Sequence, residues 1–200
     1  MCFFNQNIYN KDFIEGYKLI QDYSPTIINL TENCRNTYKI SKYNKNLTGF
    51  SIGENKKIIG EDVEVEQYEN KTDLIKKVVR FVKRLINQGI RPGDIVILSP
   101  KNFENSAFSG ENFFEDICKF QDISGRAFSQ YYKDFLKFST IHSFKGMESK
   151  IIILMDLEEF NEEYYKLLNY IGISRAKALL YVFYNKNLTE DYYQVINTNK

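Results

Sequence analysis

The chain has almost no net charge, few cysteines and no long apolar run, and each shortage removes a class of protein. Its 200 residues carry 27 Lys and Arg against 26 Asp and Glu, a formal charge of +1. A domain that holds nucleic acid mainly through its overall field is strongly basic, so any such contact here must be local. Cys2, Cys34 and Cys118 are odd in number, widely spaced and form no C-x-x-C pair, which argues against both a disulfide framework and a zinc site. A reducing cytoplasm is therefore the expected location. The densest apolar patch, Ile151 to Met155, has five residues, far short of the roughly 18 that a spanning helix needs, and no membrane partner is expected. Met1-Cys2-Phe3-Phe4 runs at once into Asn5-Gln6-Asn7, too short and too uncharged for a signal peptide. Internal repeats and low-complexity segments are absent.

What is present fits one globular domain. The apolar fraction is 43%, with 16 Phe and 15 Tyr, and a chain of this length buries roughly 70% of its extended surface on folding. Thr26 to Leu30 reads as a buried strand between Ser24-Pro25 and Thr31-Glu32-Asn33. Val63, Val65 and Gln67 alternate with Glu64, Glu66 and Tyr68 as in a half-wet strand. Thr72 or Asp73 caps a helix whose Leu74, Val78, Phe81, Val82 and Leu85 form one stripe, ended by Gly89. Arg91-Pro92-Gly93-Asp94 is a turn into a fully apolar strand, Ile95 to Leu98. Between Lys101 and Gln130 the periodicity fades, and only one short helix, near Glu111 to Phe120, is predicted. Strands at Phe138 to Ile141, Lys150 to Met155 and Leu179 to Tyr184, with a helix from Asn161 to Tyr170, complete the pattern. Alternating helices and near-continuous apolar strands predict a three-layer α/β/α domain with a mostly parallel sheet.

Three polar segments lie beside predicted strand ends, where open α/β sheets place ligand groups. They are Leu30-Thr31-Glu32-Asn33-Cys34-Arg35-Asn36-Thr37, Ser139 to Glu148 and Asn169 to Leu179. Only six residues of the chain are arginine, and two of them, Arg35 and Arg175, fall in these segments. A guanidinium stays charged and offers planar paired donors to phosphate. In phosphoryl transfer such a group is worth about 10³ to 10⁵ in rate. Taken singly, either arginine also reads as a solvated or ion-paired surface residue. Thr140, His142, Ser143, Lys145 and Gly146 make a donor-rich turn suited to a phosphate backbone, although His142 alone could be a packing residue at a strand end. No Ser/His/Asp triad emerges from spacing. Asp156, Glu158 and Glu159 read as a solvated acidic loop rather than as metal ligands.

Together the segments resemble motifs IV, V and VI of UvrD/Rep-like superfamily 1 helicases, in that order. Thr140-Ile141-His142-Ser143-Phe144-Lys145-Gly146-Met147-Glu148 is similar to T-x-H-x-x-K-G-L-E, with Met147 in the Leu place. Tyr170-Ile171-Gly172-Ile173-Ser174-Arg175-Ala176-Lys177 is similar to Y-V-A/G-x-T-R-A-x, and the segment from Leu30 to Thr37 to L-x-x-N-Y-R-S-T, with Cys34 for Tyr. Phe4 to Tyr9 resembles the end of motif III. The resemblance implies a RecA-like (P-loop NTPase-like) second motor domain over residues 24–200, preceded by a motif III segment and linker over 1–23. It implies that Gln6, Arg35 and Arg175 reach the γ-phosphate of ATP, with Arg175 as arginine finger, and that Glu148 binds the ribose hydroxyls. Thr140 and His142, with Ser143 and Lys145 beside them, would touch single-stranded nucleic acid, DNA being favoured over RNA.

No G-x-x-x-x-G-K-[ST] segment occurs, and no D-E pair able to hold Mg²⁺ precedes the motif III match. The resemblance therefore implies an N-terminal RecA-like partner domain of the same parent protein that holds most of the ATP and Mg²⁺, without which these 200 residues hydrolyse nothing. Segment 101–137 has fewer than 40 residues, too few for the large domain that UvrD-like enzymes insert there, which points to a compact relative. Two other classes stay open from sequence: a stand-alone nucleic-acid-binding module, and a regulatory domain in which the motifs are relics.

Overall fold

The computed structural model describes residues 33–51, 53, 57–125 and 133–199. The expected strand at Thr26 to Leu30, the 1–23 segment and Gln6 lie outside them. Six strands form one sheet: β1 (Glu64–Tyr68), β2 (Ile95–Ser99), β3 (Phe120–Asp122), β4 (Leu136–Thr140), β5 (Ser149–Leu157) and β6 (Ala176–Asn185), in the order β1, β6, β5, β2, β4, β3. Every pairing among the described residues is parallel. Parallel neighbours require crossovers, and these lay helices over the sheet. Four helices do so: α1 (Tyr38–Thr48), α2 (Lys71–Asn87), α3 (Glu163–Ile173) and α4 (Thr189–Thr198).

Alternate strand residues feed two separate cores, as the period of two demands. On one face Val96, Leu98, Ile152, Leu154, Leu180 and Val182 pack under α1, α3 and α4. On the other Ile95, Ile97, Ile151, Ile153, Tyr181 and Phe183 pack under Leu74, Val78, Phe81 and Leu85 of α2. Both faces are therefore dry, and the molecule has three layers.

The α2 stripe falls as its periodicity predicts, but the cap is Asn70 rather than Thr72 or Asp73. The Asn70 carboxamide accepts from Asp73 N at 3.0 Å while the Asp73 carboxylate accepts from Glu69 N at 3.0 Å, a reciprocal closure of the first turn. Gly89, at φ +85°, ends the helix.

The helix expected near Glu111 to Phe120 is not formed. Gly110 turns the chain at φ +94°, and the segment runs through successive turns into β3. Its phenylalanines pack as a cluster with Phe108 against the same core as α2. Phe108 is fully buried, with ring centroids 5.9 Å from Phe113, 5.2 Å from Phe114 and 6.2 Å from Phe120. These rings extend the core that α2 covers on this face, and their spacing follows no helical period.

α1 and α4 place short apolar stripes on the sheet, Ile40, Tyr43 and Leu47 from α1 and Tyr192, Val195 and Ile196 from α4. α1 turns Asn44 and Thr48 inward, satisfied by bonds from Asn44 Nδ2 to Tyr170 O at 3.2 Å and from Thr48 Oγ1 to Asn44 O at 2.7 Å. Polar residues at core positions hide an amphipathic pattern. In α3, a Cβ at Gly172 would stand 3.1 Å from Leu154 Cδ1 and 3.3 Å from Ile141 Cδ1, so glycine sets how closely the helix before Arg175 approaches β5.

Phe108→Ala should remove about 3–5 kcal/mol of stability, the usual cost of deleting a buried aromatic, read as a shifted midpoint in urea unfolding. A loss below about 1.5 kcal/mol would show that the cluster does not hold this layer.

Candidate nucleotide and nucleic-acid interface

Asn33 builds the turn that presents Arg35. Its side-chain oxygen accepts from Arg35 N at 2.8 Å and Asn36 N at 3.1 Å, and its Nδ2 donates to Asn36 Oδ1 at 3.0 Å. Asn36, buried, then donates to Ser174 O at 3.1 Å and to Ala176 O. The two carbonyls flank Arg175, so the turn bearing one arginine is pinned to the backbone bearing the other, far away in sequence.

Arg175 is half-buried and held on three sides. Nε donates to Ile171 O at 3.1 Å, one terminal nitrogen to Ser174 Oγ at 2.9 Å and the other to Met147 O at 3.4 Å. Of its five N–H donors two remain for a ligand. Burial, and after it the charge of Arg35, lowers this guanidinium from its ordinary value without discharging it.

Glu148 is the anion set against them. Its carboxylate stands 2.7 Å from Lys177 Nζ and 3.1 Å from Arg35 Nε, and Lys177 first, then Arg35, holds its carboxyl below the usual range. These side chains are 40–49% exposed, so the pairs are weak and exchangeable for a polyanion. Lys177 was not singled out from sequence. It stands at the start of β6, two residues after the turn that holds Arg175.

The three polar segments do not share one edge of the sheet. Thr140 ends β4, but Glu148 and Arg175 precede β5 and β6, at the edge where strands begin. Thr140 is level with Ser99, and Ile151 with Ile95; the offset from Thr140 to Ser149 is on the order of 20 Å at about 3.3 Å per strand residue. The expectation that all three segments gather where strands end is corrected accordingly. The structure joins Arg35, Glu148, Arg175 and Lys177, and His142, Ser143 and Lys145 lie on the connection leading away from Thr140.

That connection is a tight turn with alternate burial. Thr140 Oγ1 accepts from Ser143 N at 3.0 Å, and Phe144 N donates to Thr140 O at 3.0 Å. Ile141 and Phe144 are buried, which turns His142, Ser143 and Lys145 outward into solvent. His142 is thus not a packing residue. Its Nε2 lies 3.3 Å from Tyr164 OH.

Asp156 is not solvated as its acidic neighbourhood suggested. It is buried, at φ +57°, with its carboxylate accepting from Ser99 Oγ at 3.0 Å and Ala107 N at 3.3 Å, and burial raises its pKa. It anchors the loop after β2 to the end of β5.

No protein-family model matches the chain, and no curated protein matches it in sequence. Among solved structures it is similar to the C-terminal domain of a possible DNA helicase from Lactobacillus plantarum WCFS1, at 16% identity and a TM-score of 0.55, over 76% of this chain and 86% of that one. A weaker likeness, at 14% identity and a TM-score of 0.40, covers 63% of this chain and 44% of the C-terminal part of the Fun30 ATPase domain. At such identities the likeness is one of fold. The chain has a three-layer α/β/α RecA-like fold.

Because the folded Glu148 carboxyl is held below its unfolded value near 4.3, its pairs stabilise the chain fully above that pH and lose this as pH falls through the lower folded value. Glu148→Gln should flatten the decline in urea midpoint below about pH 4, by at most ~1 kcal/mol for so exposed a group. An unchanged acid profile would show that the carboxylate is not paired in solution.

Proposed function

We propose that the chain is the C-terminal motor domain of an ATP-dependent superfamily 1 DNA helicase or translocase, working at an ATP site shared with an N-terminal RecA-like domain. The observation that carries this is the Arg35 and Arg175 pair. The Asn36 bonds to the carbonyls either side of Arg175 bring two guanidiniums to one accessible edge, one of them half-buried and fixed by three backbone or hydroxyl acceptors, the other paired with the exposed, shared carboxylate of Glu148. Such a group is matched by an anion of several charges, and the terminal phosphates of a nucleoside triphosphate fit it. Mg²⁺ belongs with the partner domain in this reading.

Arg175, fixed before ligand arrives, needs no reorganisation to meet charge developing on a transferred phosphoryl group. Arg35 has one partner to give up. When it turns to phosphate, the carboxylate of Glu148 keeps Lys177 and is released toward the ribose hydroxyls. Thr140, His142, Ser143 and Lys145 present hydroxyl, imidazole and ammonium groups to single-stranded DNA. Met147, which ties Arg175 to the turn through its carbonyl, lies between the two groups, so closing of the ATP site and grip on the strand act on one connected stretch of chain.

With the N-terminal motor domain supplied in cis or in trans, Arg175→Ala should lower strand-stimulated ATP hydrolysis by about 10³-fold or more. A drop of less than about tenfold, equivalent to ~1.4 kcal/mol of barrier, overturns the finger assignment.

A further inference from the structure

The motif residues do not account for the aromatic step beside them. Tyr164 and Tyr165 stand in the first turn of α3. Tyr164 is 58% exposed, yet it is held from two directions. His142 Nε2 lies 3.3 Å from its hydroxyl, and the Tyr165 ring meets it edge-on with centroids 5.3 Å apart at 82°. Tyr165 is in turn tethered through its hydroxyl to the Glu158 carboxylate at 3.4 Å. Fixing a large side chain costs rotamer entropy, and leaving its ring in water forgoes burial. The core gains nothing from this position, whereas a flat apolar ligand face would.

We propose that Tyr164, braced by His142 and Tyr165, is a stacking step for an unpaired nucleobase of the strand whose backbone lies along Thr140, His142, Ser143 and Lys145. The inference rests on reading that turn as a strand contact. Charge orients the strand. Lys145 marks the turn with a cation, while Glu158, Glu162 and Glu163 are exposed around the tyrosines and Glu159 is half-buried. Carboxylates repel phosphate, so the backbone keeps to the Lys145 side and the base is what reaches Tyr164. Stacking accepts any base, because each has a π face. This suits a motor that must pass over every sequence.

The chain contains no tryptophan, so Tyr164→Trp places a single indole at the step, excited at wavelengths beyond tyrosine absorption. The 200-residue variant is titrated at low salt with an oligothymidylate and with an abasic strand of equal phosphate count. Saturable quenching by the base-bearing strand alone is the expected result. Tyr164→Ala should weaken binding of the oligothymidylate about 5- to 150-fold, the range for one stacked base. Tyr164→Phe, which keeps the ring, should stay within about threefold of the unaltered chain. Lys145→Ala should weaken both strands alike. Equal quenching by both strands, or unaltered binding by Tyr164→Ala while Lys145→Ala is impaired, overturns the stacking step and leaves the strand-contact reading intact. Failure of the unaltered chain to bind either strand overturns both.

Discussion

A parallel sheet buried on both faces leaves no room for polar side chains along its central strands, and the rest of the molecule follows from that constraint. β2 and β5 send every second residue into each of two cores, so their sequences are apolar almost throughout and their chemistry is displaced to the ends. The arginines, the Thr140 turn and the buried Asp156 all sit where strands start or stop. An unsatisfied polar group within the sheet would cost about 1–3 kcal/mol; at the rims the same groups find backbone partners or solvent.

Backbone carbonyls organise the rim. Asn36 spends its amide on the carbonyls either side of Arg175, and Arg175 spends three donors on Ile171, Met147 and Ser174. These neutral acceptors hold cations in place without neutralising them. Glu148 is the exception, and it is shared and exposed. The charge of the site is therefore available to a ligand, although the chain as a whole is close to neutral. A near-zero net charge and a strongly cationic edge are compatible because the cations are concentrated by folding rather than by composition.

Legibility differed from element to element for physical reasons. The apolar runs at Ile95 and Ile151, the α2 stripe and the polar segments could all be read, because burial on two faces and a 3.6-residue period leave direct marks in sequence. α1 was not predicted: its Ile40, Tyr43 and Leu47 are helically spaced, but Asn44 and Thr48 beside them also face inward, satisfied by hydrogen bonds instead of being apolar. The stretch from Lys101 to Phe120 misled for a different reason. Its phenylalanines bury area without any period, so a helix was expected where a cluster of rings forms. Asp156 looked solvated because its neighbours are acidic, but Ser99 and Ala107, distant in sequence, bury it.

By itself the sequence determined the class of fold and named Arg35, Glu148, Arg175 and the Thr140 turn as candidates, because residue type, spacing and strand context are local properties. Only the tertiary structure decided which of these meet. Parallel register places Glu148 and Arg175 together at the edge where β5 and β6 begin and leaves Thr140 at the other edge, and it adds Lys177 and Tyr164 to groups in which spacing alone had not counted them. Contacts between residues over a hundred positions apart are set by how strands align, and strand alignment depends on packing across the whole sheet.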